Sequence, residues 1–171
     1  MGQAQSPQQD LSGQKAIETI KKLTEKAGTC FFVTNIGKDA HSIPMALQEV
    51  DDEGTLWFIS SEESTHNQNL ARDPSVQLYF LNNGSYEYVF LQGKATISKD
   101  RALIEKYYSH FADAWFDGKD DPRITVIGVK PDDGYYYETK DNKVFAMAKM
   151  LFAAVTGSKV EDGGVEGGLS V

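Results

Sequence analysis

Cysteine is all but absent from the 171 residues: Cys30 stands alone. No internal disulfide can form, and a reducing, cytoplasmic setting is expected. Basic residues are also scarce, with 17 Lys and Arg against 25 Asp and Glu, a formal net charge of −8 and no basic block. That excludes a surface built to neutralise nucleic-acid phosphates. No apolar run approaches the ~20 residues of a membrane-spanning helix, and residues 1–10 carry no apolar signal core. His41, His66 and His110 keep no metal-ligand spacing among themselves or with Cys30, so no metal is expected. A Ser/His/Asp set is not recognisable either. What remains is an ordinary globular composition, long enough for one domain with a real core.

Residues 1–11 read as a disordered tail. From Ser12 onward Ala16, Ile17, Ile20, Leu23 and Ala27 recur at helical spacing, and Gly28 stops the run. Strands are expected over 29–36, 41–50 and 55–60. Pro44 lacks an N–H, which places it at an edge, a bulge or an interruption of the ladder. Another strand follows at 75–82, with an Asn-Gly hairpin turn at 82–85. The long run 86–97 contains Gly93, whose place inside a strand marks a bend or a close approach. A helix capped by Asp100 comes next, then two strands, 124–130 and 134–139, meeting across residues 131–133. Residues 144–155 are apolar nearly all round, the pattern of a buried helix. The Gly-rich end, 160–171, reads as a flexible tail. Domain limits of 12–159 follow. Six or seven strands joined by short turns favour a closed or split antiparallel β-barrel with flanking helices.

The organising stretch is 55–82: strand, polar turn with a short helix, Asp73-Pro74 break, strand. Ser60, Ser61, Ser64, Thr65 and His66 cluster just past the first strand. Hydroxyls beside a helix start can hold an anion, or the same residues can be plain helix caps. Asp120 and Asp121 beside Pro122 read as a loop cluster, with a catalytic carboxylate pair as the rival reading.

An ordered set of residues carries a resemblance. It comprises Pro44-Met45, residues 56–60, Ser64 with a helix ending at Asp73-Pro74, residues 88–93, Asp100-Arg101, residues 114–116, Gly118 and residues 120–122. The chain resembles the general stress protein 26 branch of the pyridoxamine 5'-phosphate oxidase-like, FMN-binding split-barrel superfamily. The resemblance implies a mainly β fold, a six-stranded antiparallel split barrel, and a homodimer with FMN at the subunit interface. It places Pro44 and Met45 along the flavin ring, with Phe58, Ile59 and Ser60 beneath it offering backbone hydrogen bonds. Ser64, Thr65 and His66 fall at the phosphate, Tyr88 where the oxidases place a flavin-contacting Gln, and Trp115 or Phe116 at the ring. The implied function is a stress-related oxidoreductase of a small substrate; the alternative is a non-catalytic flavin or other ligand binder.

Two departures bear on that expectation. His66 stands where similar sequences carry Lys or Arg, which lowers the expected phosphate affinity and makes it fall as pH rises through the imidazole's titration. His41 stands where the oxidases carry Arg, so true pyridoxamine phosphate oxidase activity is not expected.

Overall fold

Phe32 and Phe58 meet edge to face with ring centroids 5.3 Å apart, and the sheet curls around that contact. The computed structural model describes residues 8–37, 39–139 and 164–171. Alternation builds its walls. In β2 (Thr29–Thr34), β5 (Leu56–Ser61) and β6 (Ser75–Asn82) every second side chain is buried, bringing Phe32, Phe58, Leu78 and Phe80 into one core. The helix α1 (Gln14–Ala27) buries Ala16, Ile20 and Leu23, one stripe of its surface, against that core. Gly28 ends it in the left-handed conformation (φ 73°) and donates its N–H to Thr24 O at 2.8 Å.

The remaining elements are β1 (Leu11–Ser12), β3 (His41–Ala46), β4 (Glu49–Val50), α2 (Thr65–Arg72), β7 (Glu87–Ser98), α3 (Arg101–Tyr107), a 3-10 helix (His110–Ala114), β8 (Ile124–Thr139) and β9 (Gly164–Ser170). One path of hydrogen-bonded neighbours runs β1-β9-β8-β7-β6-β2-β3, and β5 pairs with both β4 and β8. The fold is the expected one, mainly β with flanking helices in a split barrel. The described residues hold nine strands instead of six, because short pieces at both ends and before β5 also join the sheet.

Three expectations are corrected. The two strands expected over 124–139 are one, since Pro131 sits opposite Gly93 at a register shift in the β7–β8 ladder. A bulge there accommodates a residue with no N–H to donate. Gly93 is required: a Cβ would lie 2.1 Å from the Lys130 carbonyl oxygen. The Asn-Gly turn puts its positive φ on Tyr86 (54°), with Ser85 N donating to Asn82 O at 3.2 Å. Finally, residues 164–170 are no tail. They pair with β8 on one side and with Leu11–Ser12 on the other, so part of the supposed N-terminal tail is also sheet. Glycine is there because backbone approaches backbone: a Cβ on Gly167 would meet Gln9 O at 2.0 Å. The helix expected over 144–155 lies outside the described residues. Among those described, no helix is long and apolar enough to cross a membrane.

A candidate ligand site in the barrel split

Among the described residues, strand β3 pairs only with β2, and β5 beyond Trp57 pairs only with β8. The facing edges of β3 and β5 approach each other with no ladder between them. Pro44 therefore sits on an edge strand, where its missing N–H costs no hydrogen bond. A cavity of about 550 Å³ opens in this split, within the usual range for a small-molecule site. Ile43, Pro44 and Met45 form one wall and Ile59 another, with Phe111, Trp115 and Phe116 arching over from the 3-10 helix and its exit. Phe111 and Trp115 pack together at 5.3 Å yet stay 69% and 62% exposed, a flat apolar rim. Behind β5, the helix α3 supports the site from outside, with Tyr107 stacked on Trp57 at 5.3 Å.

The polar end is assembled by the turn into α2. Ser64 caps that helix, accepting from Asn67 N at 3.2 Å, and its own hydroxyl donates to Ser61 O at 2.7 Å. Asn67 Nδ2 donates to Thr125 Oγ1 at 2.7 Å, which leaves Asn67 Oδ1 to accept from Ser60 Oγ at 2.9 Å. Both serine protons are thereby spent. His66 Nε2 lies 2.5 Å from Ser60 Oγ and 3.1 Å from Ser64 Oγ; with those protons spent, it is the ring that donates. Burial, and secondarily the charge of His41, push the imidazole down to about 4. Near neutral pH it is an uncharged donor locked to two serines, which corrects the expectation of an imidazole titrating near ~6.5 at the phosphate.

Of the residues expected at the site, Pro44, Met45, Ile59, Ser60, Ser64, His66 and Trp115 line the one cavity. Phe58 turns its ring into the core and does not line the cavity. Thr65 is exposed on the first turn of α2 and does not line it. Tyr88 stands on the outer side of the sheet, between Leu81 and Tyr137 in register, away from this cavity.

Sequence reasoning missed Arg123, the only charged residue lining the cavity among those described. It immediately precedes β8, and the β5–β8 register sets Ser61 opposite Ile124, so a residue 62 positions away in sequence arrives beside the serine turn. Its Nε donates to Asp121 Oδ1 at 3.0 Å and its Nη2 to Asp121 Oδ2 at 2.6 Å. The Asp121 carboxyl also accepts from the N–H groups of Asp117 and Arg123, and the Arg123 guanidinium first of all holds it well below the usual carboxylate range. Asp120 turns the other way, to Arg101. The two aspartates serve separate arginines and form no catalytic pair.

The fold is a mainly β barrel split between two strands, with a cavity in the split. Residues 15–161 match the family model described as pyridoxamine 5'-phosphate oxidase like, and the chain belongs to that family. Protein bli-3 of Neurospora crassa is 31% identical over 123 residues, covering 66% of this chain and 59% of that protein. General stress protein 26 of Bacillus subtilis is 30% identical over 82 residues, covering 46% of this chain and 59% of that protein. The chain thus spans 59% of the length of each of these relatives. Among solved structures, one from Jannaschia sp. CCS1 assigned to general stress protein 26 superposes with a TM-score of 0.75 at 22% identity, covering 93% of this chain and 100% of that one. The general stress FMN/FAD binding protein of Xanthomonas citri gives 0.64 at 20% identity, covering 76% and 93%. At these identities the structures speak for the fold.

Proposed function

We propose that this chain is an FMN-binding flavoprotein, a stress-related oxidoreductase acting on a small substrate in a homodimer. The observation that carries the reading is the cavity in the split: apolar walls, two strand edges with no partner among the described residues and a polar end, in one space of about 550 Å³. A flat ring with a polar rim fits that donor set. Pro44, Met45 and Ile59 would hold its faces, and the backbone edge of residues 59–61 would meet its heteroatoms. The Xanthomonas citri neighbour, described as FMN/FAD binding, points the same way. When bound, the flavin supplies reversible two-electron transfer. The chain's own residues orient the ring and exclude water with the aromatic rim of Phe111 and Trp115.

The dimer reading rests on a row of aromatics across the outer sheet face. In cross-strand register, Pro44 sits beside Phe31, Phe31 beside Tyr79, Tyr79 beside Phe90, and Phe90 beside Tyr135. Phe31, Tyr79 and Tyr135 are 50%, 39% and 44% exposed, more contiguous apolar surface than a monomer usually leaves bare. Because the row begins at Pro44, a cavity wall, a second copy laid on this face would also border the ligand.

A visible spectrum of the purified protein, followed by titration of the flavin-free chain with FMN, tests the reading. Flavin absorbance and micromolar binding are expected; a colourless protein that fails to quench FMN fluorescence refutes it. One observation favours a carrier over an enzyme: among the described lining residues the serine protons at 60 and 64 are spent and His66 is neutral, so proton transfer has few agents. Bleaching of bound FMN by NADH or NADPH, then reoxidation by an added acceptor, would decide for turnover.

A further inference from the structure

We propose that Arg123 is the anion-recognising residue of the cavity and takes the phosphate end of FMN, the part that residue position alone assigned to His66. The inference rests on the flavin reading above and adds to it a residue outside the serine turn.

Donor accounting at the polar end leads there. The hydroxyl protons of Ser60 and Ser64 go to Asn67 Oδ1 and Ser61 O, and the His66 Nε2 proton goes to those same two serine oxygens. None of these three side chains has a proton left on those atoms for a phosphate oxygen without breaking a bond already made. Arg123 differs. Of its five N–H donors, the two bonds to Asp121 take one on Nε and one on Nη2. Among the described residues its Nη1 has only Glu63 Oε2, 3.9 Å away, and that carboxylate is 68% exposed. Asp121, 2% exposed, grips one edge of the guanidinium and so aims the other. Phe116 flanks the plane, with the Arg123 Cζ 5.9 Å from the ring centroid. A planar, pre-oriented fork with donors to spare is the donor set suited to a phosphate.

The charges facing Arg123 are all negative: Asp121 in direct contact, Glu63 beside Nη1, and Asp117 further off. Asp121 cancels most of the long-range attraction, so recognition is by short directed hydrogen bonds. Glu63 competes for the same edge, and a phosphate must displace it.

The test is calorimetric titration of the full chain with FMN and with riboflavin, which lacks the phosphate. The parent should bind FMN about tenfold or more tightly than riboflavin, the scale of charge-assisted hydrogen bonds. Arg123→Gln should bring that ratio close to one while leaving riboflavin affinity unchanged, which also shows that the variant is folded. Arg123→Lys, which keeps a cation for Asp121, should give an intermediate ratio. Glu63→Gln should tighten FMN and not riboflavin, and His66→Gln should leave the ratio as in the parent. A parent-like ratio in Arg123→Gln, or a ratio abolished in His66→Gln, overturns the assignment. Equal affinity of the parent for the two flavins overturns it while leaving the flavin reading intact; binding of neither brings both down.

Discussion

His66 illustrates how a residue type predicts chemistry that its surroundings cancel. In the unfolded chain its imidazole titrates near ~6.5, whereas in the fold it is pushed down to about 4. Above the unfolded value both states are neutral and stability is unaffected. As pH falls below ~6.5 the unfolded chain takes a proton that the folded chain refuses, so stability drops through the window down to about 4 and then levels off. A full shift of that size is worth about 3 kcal/mol, and the ring's partial contact with solvent brings the expected loss to the order of 2 kcal/mol. Urea unfolding at pH 7 and pH 4.5 should show a smaller loss for His66→Gln than for the parent, the carboxylate contributions being common to both. Identical losses would mean that the folded imidazole titrates normally. Ser64 is the companion case. As the cap of α2 with its proton spent on Ser61, it should cost about 1 kcal/mol when changed to Ala. Its loss should weaken FMN and riboflavin alike. The residue types in this turn were plain in the sequence. Their proton balance was not, because Thr125 and Asn67, which fix it, are 58 residues apart.

At the scale of elements, legibility followed locality. Helix α1 was readable from its 3.6-residue stripe and its Gly28 stop, and α3 from the Asp100 cap, which accepts from Leu103 N at 3.0 Å. Strands with a buried face showed their alternation. What failed was any element defined only by its partner. The sequence Gly-Val-Glu-Gly-Gly-Leu-Ser has the composition of a tail, yet it buries Val165 and Leu169 as β9. Pro131 reads as a turn until Gly93 stands opposite it. That pairing gives a sharp expectation. Gly93→Ala would drive a methyl group toward the Lys130 carbonyl and force the bulge open, costing about 3 kcal/mol. The chemical denaturation midpoint should fall accordingly, and an unchanged midpoint would show that the strands can part there at no cost.

For the molecule as a whole, the proposed dimer rests on the outer aromatic row. Sedimentation of the parent at micromolar concentration should give twice the monomer mass. Replacing Tyr79 and Phe90 by Glu should yield monomers that bind FMN more weakly, because an unpaired charge buried at an interface opposes association. A double variant that stays dimeric would place the interface elsewhere. Arg123 escaped the sequence reading because its place is a product of strand register, and no local pattern encodes which strand lies next to which.

The pairing of Leu11–Ser12 with Leu169–Ser170 has a topological consequence. Two segments far apart in sequence run side by side in the same direction, so the stretch between Ser12 and Leu169 is a loop closed by its own strand pair. Closing so large a loop adds only a logarithmic entropy penalty, but among the described residues this pairing is one of the least local contacts and should be among the last to form.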